Sequence, residues 1–229
     1  MKKIPKISII MSVKDGEFYV GNAINSILCQ TFQNFEFLIV NDGSTDCTFD
    51  VLKYYEKLDS RIKVFENNKN IGLTKSLNLL IKKAQGEYIA RQDADDLSTS
   101  ERLDLQLKIL KYKNLDACTT LAESIQTNKT LHKISSHLPK KLIINLKNPF
   151  IHGTLFIKKS VLISLGGYNE KFYYAQDYRL IKDLISSGYK LKILYKKLYK
   201  LNTINNISTN YLIDQNKFAS FVRKNISPN

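Results

Sequence analysis

Within its first 112 residues the chain switches four times from a short apolar run to a segment with helical spacing. The runs are Ile7–Val13, Phe35–Val40, Ile62–Phe65 and Glu87–Arg91. They are followed in turn by Val20, Ala23, Ile24, Ile27 and Leu28, by a segment from about Thr45 to Leu58, by Leu73, Leu77, Leu80, Ile81 and Ala84, and by Leu103, Leu107 and Leu110. Apolar residues at i, i+3, i+4 and i+7 predict amphipathic helices, and short runs closed by turn residues predict buried strands. Such alternation leaves few solutions, the simplest being a mainly parallel sheet with helices on both faces. Ligands of such sheets gather beyond the carboxyl ends of the strands. Ser12 to Asp15, Asn41 to Ser44 and Asp93 to Asp96 all fall there, so they are predicted to converge on one cleft.

The second half is less regular. From about residue 123 to 149 polar residues, Pro139, Pro149 and the amphipathic Leu142–Leu146 predict a connecting segment lying over the cleft. Gly153–Ile157 reads as a strand, Ser160–Leu165 as a short helix ended by Gly166 and Gly167, and Ala175–Ser187 as a longer helix. Leu191–Tyr195 reads as a lysine-interleaved strand, and an Asn-rich tail follows. Ser98-Thr99-Ser100-Glu101 offers a capping-box start for the helix that carries Leu103.

At 229 residues and 43% hydrophobic, the chain can bury a substantial core and is expected to form one continuous domain, with a first half at 1–122 and a second at 123–229. No run of 18 apolar residues occurs, and Met1-Lys2-Lys3-Ile4-Pro5 leads directly into a strand pattern; a cytoplasmic protein is the expectation. Cys29, Cys47 and Cys118 are odd in number and lack ligand spacing, which argues against a zinc site or a disulfide framework. Residues 1–128 hold 17 Lys+Arg and 17 Asp+Glu, whereas residues 129–229 hold 18 and 4, so the second half carries the whole net charge of +14. That asymmetry suggests an anionic partner such as a membrane surface, a nucleic acid or a phosphorylated substrate; a solvated lysine-rich face is the alternative.

Asp93-Ala94-Asp95-Asp96 places three carboxylates in four residues where a strand leaves the core. Crowded like charges raise one another's pKa, and a hard divalent cation such as Mn2+ or Mg2+ relieves the repulsion. Strand alternation would set Asp93 and Asp95 on one side and Ala94 on the other. A solvated turn, or neutralisation of Asp96 and Asp95 by Arg91 and Arg102, remains the competing reading. Asp42, followed by Gly43, can accept from the imide N–H of a base or from a ribose hydroxyl, or can simply cap the next helix. Asp177, near the start of a predicted helix, is either a capping acid or a general base. His132, His137 and His152 lack metal-ligand spacing, and Phe172-Tyr173-Tyr174 can serve as a sugar platform or as core.

Five motifs occur in order between about residues 6 and 190: Ile7–Met11, Ala23–Phe32, Phe35–Asp46 with Asn70-Ile71-Gly72-Leu73, Gly86–Asp96, and Gly166-Gly167-Tyr168 with Gln176-Asp177. Together they resemble the family 2 inverting glycosyltransferases of the GT-A fold. The resemblance implies a mainly parallel, Rossmann-like α/β sheet with a smaller acceptor-side subregion. It implies donor binding by Ser12, Lys14, Asp15, Asp42, Gly72, Arg91, Asp93 and Ala94, with Asp42 on the uracil and Asp93 on the ribose or sugar. Asp95 would hold Mn2+ or Mg2+, and Asp177 would be the base, with His152, Gln176 and Lys200 on the acceptor side. The reaction implied is transfer of a hexose or N-acetylhexosamine from a UDP-sugar to a lipid-linked or oligosaccharide acceptor of a bacterial surface glycan, at an anionic membrane face.

The chain departs from the family pattern at three places. Lys14-Asp15 replaces an aromatic followed by Asn, Gln176 replaces Glu before the base, and Lys200 and Asn202 stand where Arg and His are frequent. A catalytically degenerate member is therefore one alternative, and a basic membrane- or nucleic-acid-binding module another. A nucleotidyltransferase is more distant, because a glycine-rich basic loop is missing near the N-terminus. Specific nucleic-acid recognition is not expected, because the lysines form no reader motif and the acidic cleft repels phosphate.

Overall fold

The computed structural model describes residues 4–131, 143–204 and 211–228. Strands β1 (Ile7–Val13), β2 (Phe35–Asn41), β3 (Ile62–Glu66) and β4 (Tyr88–Arg91) are parallel, in the order β3-β2-β1-β4. The connecting helices are α1 (Val20–Leu28), α2 (Thr48–Leu58) and α3 (Leu73–Lys83). After the two-residue β5 (Leu97–Ser98) come α4 (Arg102–Tyr112), β6 (Ala117–Ser124) and the short β7 (Thr130–Leu131) paired to β6. Next are β8 (Phe156–Lys158), α5 (Lys159–Ser164), α6 (Gln176–Ser186), β9 (Leu191–Leu201) and α7 (Leu212–Lys224). The sheet continues past β4 through antiparallel β8 to β6, then parallel β9 and antiparallel β5. This is the expected α/β sheet: parallel through its first half, mixed through its second.

Strands covered on both faces read as largely apolar runs, which is why β1, β2 and β4 were legible; β3, at the sheet edge, is half-buried. Side chains alternate between two cores: Ile7, Ile9, Met11 and Val13 of β1 face one, and Ile10 faces the other. Val20, Ala23, Ile24 and Ile27 of α1 are fully buried on the first face. Each such aliphatic larger than Ala contributes about 1.5–3 kcal/mol by leaving water. The opposite face is covered by α3, α5, α6 and α7.

Three local expectations change. Ser98 does not begin a capping box: α4 starts at Arg102 with no side-chain cap from Glu101. Ser98 lies instead in β5, its hydroxyl donating to Gln92 Oε1 at 2.7 Å, and the Leu103 N–H at the helix start is satisfied by Gln30 Oε1 at 3.0 Å. A partner distant in sequence took the role that a local motif would have filled. His152–Thr154 forms a 3-10 turn rather than strand, and β8 begins only at Phe156. The tail contains α7, whose Phe218, Phe221 and Val222 pack on the core; their i, i+3, i+4 spacing was the available signal, diluted by the polar residues around it. Of the predicted connecting segment, residues 132–142, including His132, His137 and Pro139, lie outside the described residues. Among the described residues no helix is long and apolar enough to cross a membrane.

Candidate active site

At the carboxyl ends of β1 and β2 two loops are laced together by short polar side chains. The Asp15 N–H donates to Ser44 Oγ at 3.0 Å, and Asp15 Oδ1 accepts the Thr45 N–H at 2.8 Å. The Gly16 N–H reaches Thr48 Oγ1 at 2.7 Å, and Glu17 and Asp46 exchange further contacts with the facing backbone. Lys14 is paired with Asp15 at 2.5 Å, and this pairing together with the Thr45 N–H holds the Asp15 carboxyl below its ordinary value. Asp15 has φ +50°, a left-handed backbone suited to the turn. Ser12 is half-buried at the end of β1, beside Val40 in register. Tyr19 donates its hydroxyl to the Asp15 carbonyl at 2.9 Å. Burial, followed by the fields of Asp95, Asp46 and Asp15, raises its pKa.

Asp42 is 3% exposed and does not cap α2; Asp46 does so, accepting the Thr48 N–H at 3.0 Å. Asp42 Oδ1 accepts from Asn67 Nδ2 at 2.8 Å and from the Ile71 N–H at 2.9 Å, and Oδ2 accepts the Gly72 N–H at 2.9 Å. One carboxylate thereby fixes the loop that enters α3. Gly72 sits at φ +90°, a left-handed backbone that favours glycine, and a β-carbon there would lie 2.8 Å from the Tyr173 ring. Asn67 carried no sequence signal, because its role depends on a carboxylate 25 residues earlier.

The acidic cluster is a turn and not a strand continuation, since β4 ends at Arg91. Strand alternation therefore does not orient its side chains. Ala94 packs its methyl into the core, leaving only its backbone for a ligand. Arg91, 1% exposed, pairs with Asp93 at 2.5 Å, not with Asp95 or Asp96. Among the described residues Arg102 makes no ion pair: its guanidinium donates to Gln92 Oε1 at 3.0 Å, Ser98 Oγ at 2.7 Å, Gln106 Oε1 at 3.2 Å and the Arg91 carbonyl at 2.5 Å, and lies over the Tyr199 ring. Burial lowers its pKa to about 10, which leaves it charged at neutral pH. Tyr199, 1% exposed, accepts the Asp93 N–H at 3.0 Å. Nothing in the sequence marked Tyr199, which is brought here by β9 from 106 residues away.

Asp95 and Asp96 both feel burial and the other carboxylates. Burial first and Asp93 second raise the Asp95 pKa, and burial, Asp93 and Asp95 push Asp96 up to about 8. The Asn202 N–H donates to Asp96 Oδ1 at 2.7 Å and Asn202 Nδ2 to Asp95 Oδ2 at 3.3 Å, so Asn202 does reach the cluster. Among the described residues no three His, Cys, Asp or Glu side chains form a metal cage. The donor set nonetheless suits a hard cation that keeps open positions, because it is all oxygen and its mutual repulsion is relieved by positive charge.

Opposite this turn lies the segment 148–154. Gly153 passes so close to the cluster that a β-carbon on it would stand 2.6 Å from Asp93 Oδ2. His152 Nε2 and the Tyr168 hydroxyl share a hydrogen bond of 2.7 Å. Burial and then Arg91 lower the His152 pKa, while Asp177 and Asp93 oppose them; both carboxylates thus act on this imidazole. Asp177, half-buried in the first turn of α6, accepts a hydrogen bond from Asn148 Nδ2 at 2.7 Å. Gln176 is buried beside it, after Ala175 in a left-handed conformation at φ +53°. Asn148 was missed; its one signal was the turn-forming Asn148-Pro149 pair. Lys200 is exposed and lines a cavity of about 370 Å³ with Asn22, Ser26 and Leu97–Thr99, a lining that does not include His152 or Gln176.

Residues 8–167 match the model of the family described as glycosyl transferase family 2. The O-antigen biosynthesis glycosyltransferase WbnJ of Escherichia coli is 36% identical over 188 residues, which cover 79% of this chain and 72% of WbnJ. Solved structures that share the fold include the following two. Residues 1–349 of S. aureus TarS in complex with UDP-GlcNAc superimpose with a TM-score of 0.80 at 20% identity, over 95% of this chain and 65% of that one. The mannosyltransferase PcManGT from Pyrobaculum calidifontis, in complex with GDP-Man and Mn2+, gives 0.76 at 18% identity, over 99% and 67%. This chain thus spans about two thirds of those structures, and its sheet is the GT-A sheet that they contain. With the family motif running through β1, the Asp42 loop, the acidic turn and the Gly166-Gly167 turn, the chain belongs to glycosyl transferase family 2.

Proposed function

We propose that the protein is an inverting transferase that moves a hexose or N-acetylhexosamine from a UDP-sugar to a hydroxyl of a bacterial surface glycan. The observation that carries this reading is the convergence of two carboxylates on one segment: Asn148 binds Asp177 while Gly153 abuts Asp93. Donor and acceptor sites of a single displacement have to meet in this way. Uracil and ribose would lie across the loops organised by Asp15 and Asp42, and Asp93, held by Arg91, would face the ribose or sugar. Asp177 takes the proton from the acceptor hydroxyl as it attacks the anomeric carbon. A single base with no enzyme nucleophile gives inversion, hence a β-linkage from a UDP-α-sugar. Asp95, with its neighbours in the turn, would hold Mn2+ or Mg2+, which when bound offsets charge on the departing diphosphate. The surface-glycan assignment is supported by the likeness to WbnJ, and the uridine donor by the fold shared with a UDP-GlcNAc complex.

The test is thermal-shift binding of UDP, GDP and dTDP with Mn2+ or chelator, on the wild type and Asp95→Ala. At about 100 times Kd, UDP with Mn2+ raises the melting temperature by about 5–10 °C, and the shift is lost with chelator or Asp95→Ala. A protein that responds to none of the three nucleotides overturns the donor reading.

A peripheral position on the cytoplasmic face of an anionic membrane is part of the same proposal. It rests on the 18 basic and 4 acidic residues of 129–229, among them the exposed Lys192, Lys196, Lys197 and Lys200 of β9. Near an anionic surface each contributes up to about 1 kcal/mol. The protein is expected to float with phosphatidylglycerol vesicles at low salt and to be released at high salt; failure to float at either salt rejects the membrane assignment.

A further inference from the structure

We infer that Asn148 is a positioning residue for the base, holding the Asp177 carboxylate toward the acceptor hydroxyl; this rests on the reading of Asp177 given above. The amide has two faces and both are engaged. Its Oδ1 accepts the Phe150 N–H at 3.0 Å, and its Nδ2 donates to Asp177 Oδ2 at 2.7 Å. A backbone N–H can only donate, so the first contact fixes which end of the amide is oxygen and leaves the N–H end facing the carboxylate.

Asn148 is itself held firmly. Ile143, Ile144 and Phe150 on either side of it are buried, and the Tyr178 hydroxyl donates to the Ile144 carbonyl at 2.6 Å. Asp177 and Tyr178 are adjacent in α6, so the 143–150 segment grips the start of that helix at two neighbouring side chains. One contact is buried and serves the fold. The other ends on a half-buried carboxylate whose Oδ1 accepts no hydrogen bond among the described residues. An N–H on one oxygen limits rotation of the carboxylate and aims the other, and misplacement of a reacting group by about 1 Å costs about 10²-fold in rate.

Asn148→Asp separates the two contacts. It is nearly isosteric and keeps an acceptor for the Phe150 N–H, so the turn is retained, but it presents a carboxylate where Asp177 needs a donor. The assay is steady-state UDP release from UDP-Glc, UDP-Gal, UDP-GlcNAc and UDP-GalNAc with Mn2+ and water as acceptor, alongside the UDP-induced thermal shift. The expected result is a fall in kcat of about 10²-fold with donor KM and the thermal shift unchanged. Asn148→Ala, which lacks both contacts, shows the same kcat loss with a lower melting temperature, and replaces Asn148→Asp should that variant not fold. If Asp177→Asn abolishes UDP release while the Asn148 variants that retain the UDP shift stay within about threefold of wild type, Asn148 only shapes its turn and the inference is wrong. If Asp177→Asn itself leaves the rate intact, or the wild type turns over none of the donors, the base reading falls and this inference with it.

Discussion

Asp177→Asn lowers kcat for UDP release by about 10²–10⁴-fold, the range contributed by a positioned general base, and leaves UDP affinity and thermal stability near wild type. The substitution isolates the chemistry. An asparagine at 177 still offers a carbonyl oxygen to Asn148 Nδ2, so the 2.7 Å contact and the start of α6 survive. What is lost is a group able to take a proton at neutral pH. The donor half lies on other elements, the β1 and β2 loops and the turn after β4, so nucleotide binding is not expected to change. Parallel loss of UDP binding would assign Asp177 to the donor pocket or the fold, and an unchanged kcat would remove it from the reaction.

Arg102→Met lowers the unfolding free energy by about 2–6 kcal/mol, read as a shift of the urea midpoint. Arg102 is fully buried and serves as the joint between both sides of the site. Its guanidinium binds the Arg91 carbonyl, Gln92 and Ser98 beneath the acidic turn, and Gln106, whose amide donates to the Thr154 carbonyl at 2.8 Å behind the His152 turn. Methionine fills comparable volume but leaves the Arg91 carbonyl and Gln106 Oε1 without that donor, at about 1–3 kcal/mol each. Lys108→Met provides the control: Lys108 is 69% exposed in its pair with Asp104, and the loss of such a pair costs about 0–1 kcal/mol. If the two variants have equal midpoints, the buried network contributes no more than a surface pair.

The acidic turn illustrates why residue types are easier to read than their partners. Two arginines flanking three carboxylates invite ion pairing, and Arg91 does pair, but with Asp93. Arg102 has the same charge and lies six residues beyond Asp96. It is turned by the start of α4 into a buried polar layer, where backbone and amide oxygens satisfy its donors. Periodicity placed α4 correctly, yet it gave no sign that Arg102 would lie over the Tyr199 ring of β9.

The sequence by itself determined the α/β layering, the parallel first half of the sheet and the gathering of three polar loops at its carboxyl edge. These follow from local periodicities and from strands whose two faces must both be apolar. The five ordered motifs determined the family as well. Only the tertiary structure decided that Gln30 would cap α4, that Tyr199 and Asn202 would reach the acidic turn, that Lys200 would line a cavity with Asn22, Ser26 and Leu97–Thr99, and that Asn148 would hold Asp177. The hydrogen bonds among these join residues between 29 and 107 positions apart. Side-chain hydrogen bonds over such separations have no periodicity to announce them. They form because burial leaves a polar group no water to bind, and the packing of sheet and helices dictates which partner is within reach.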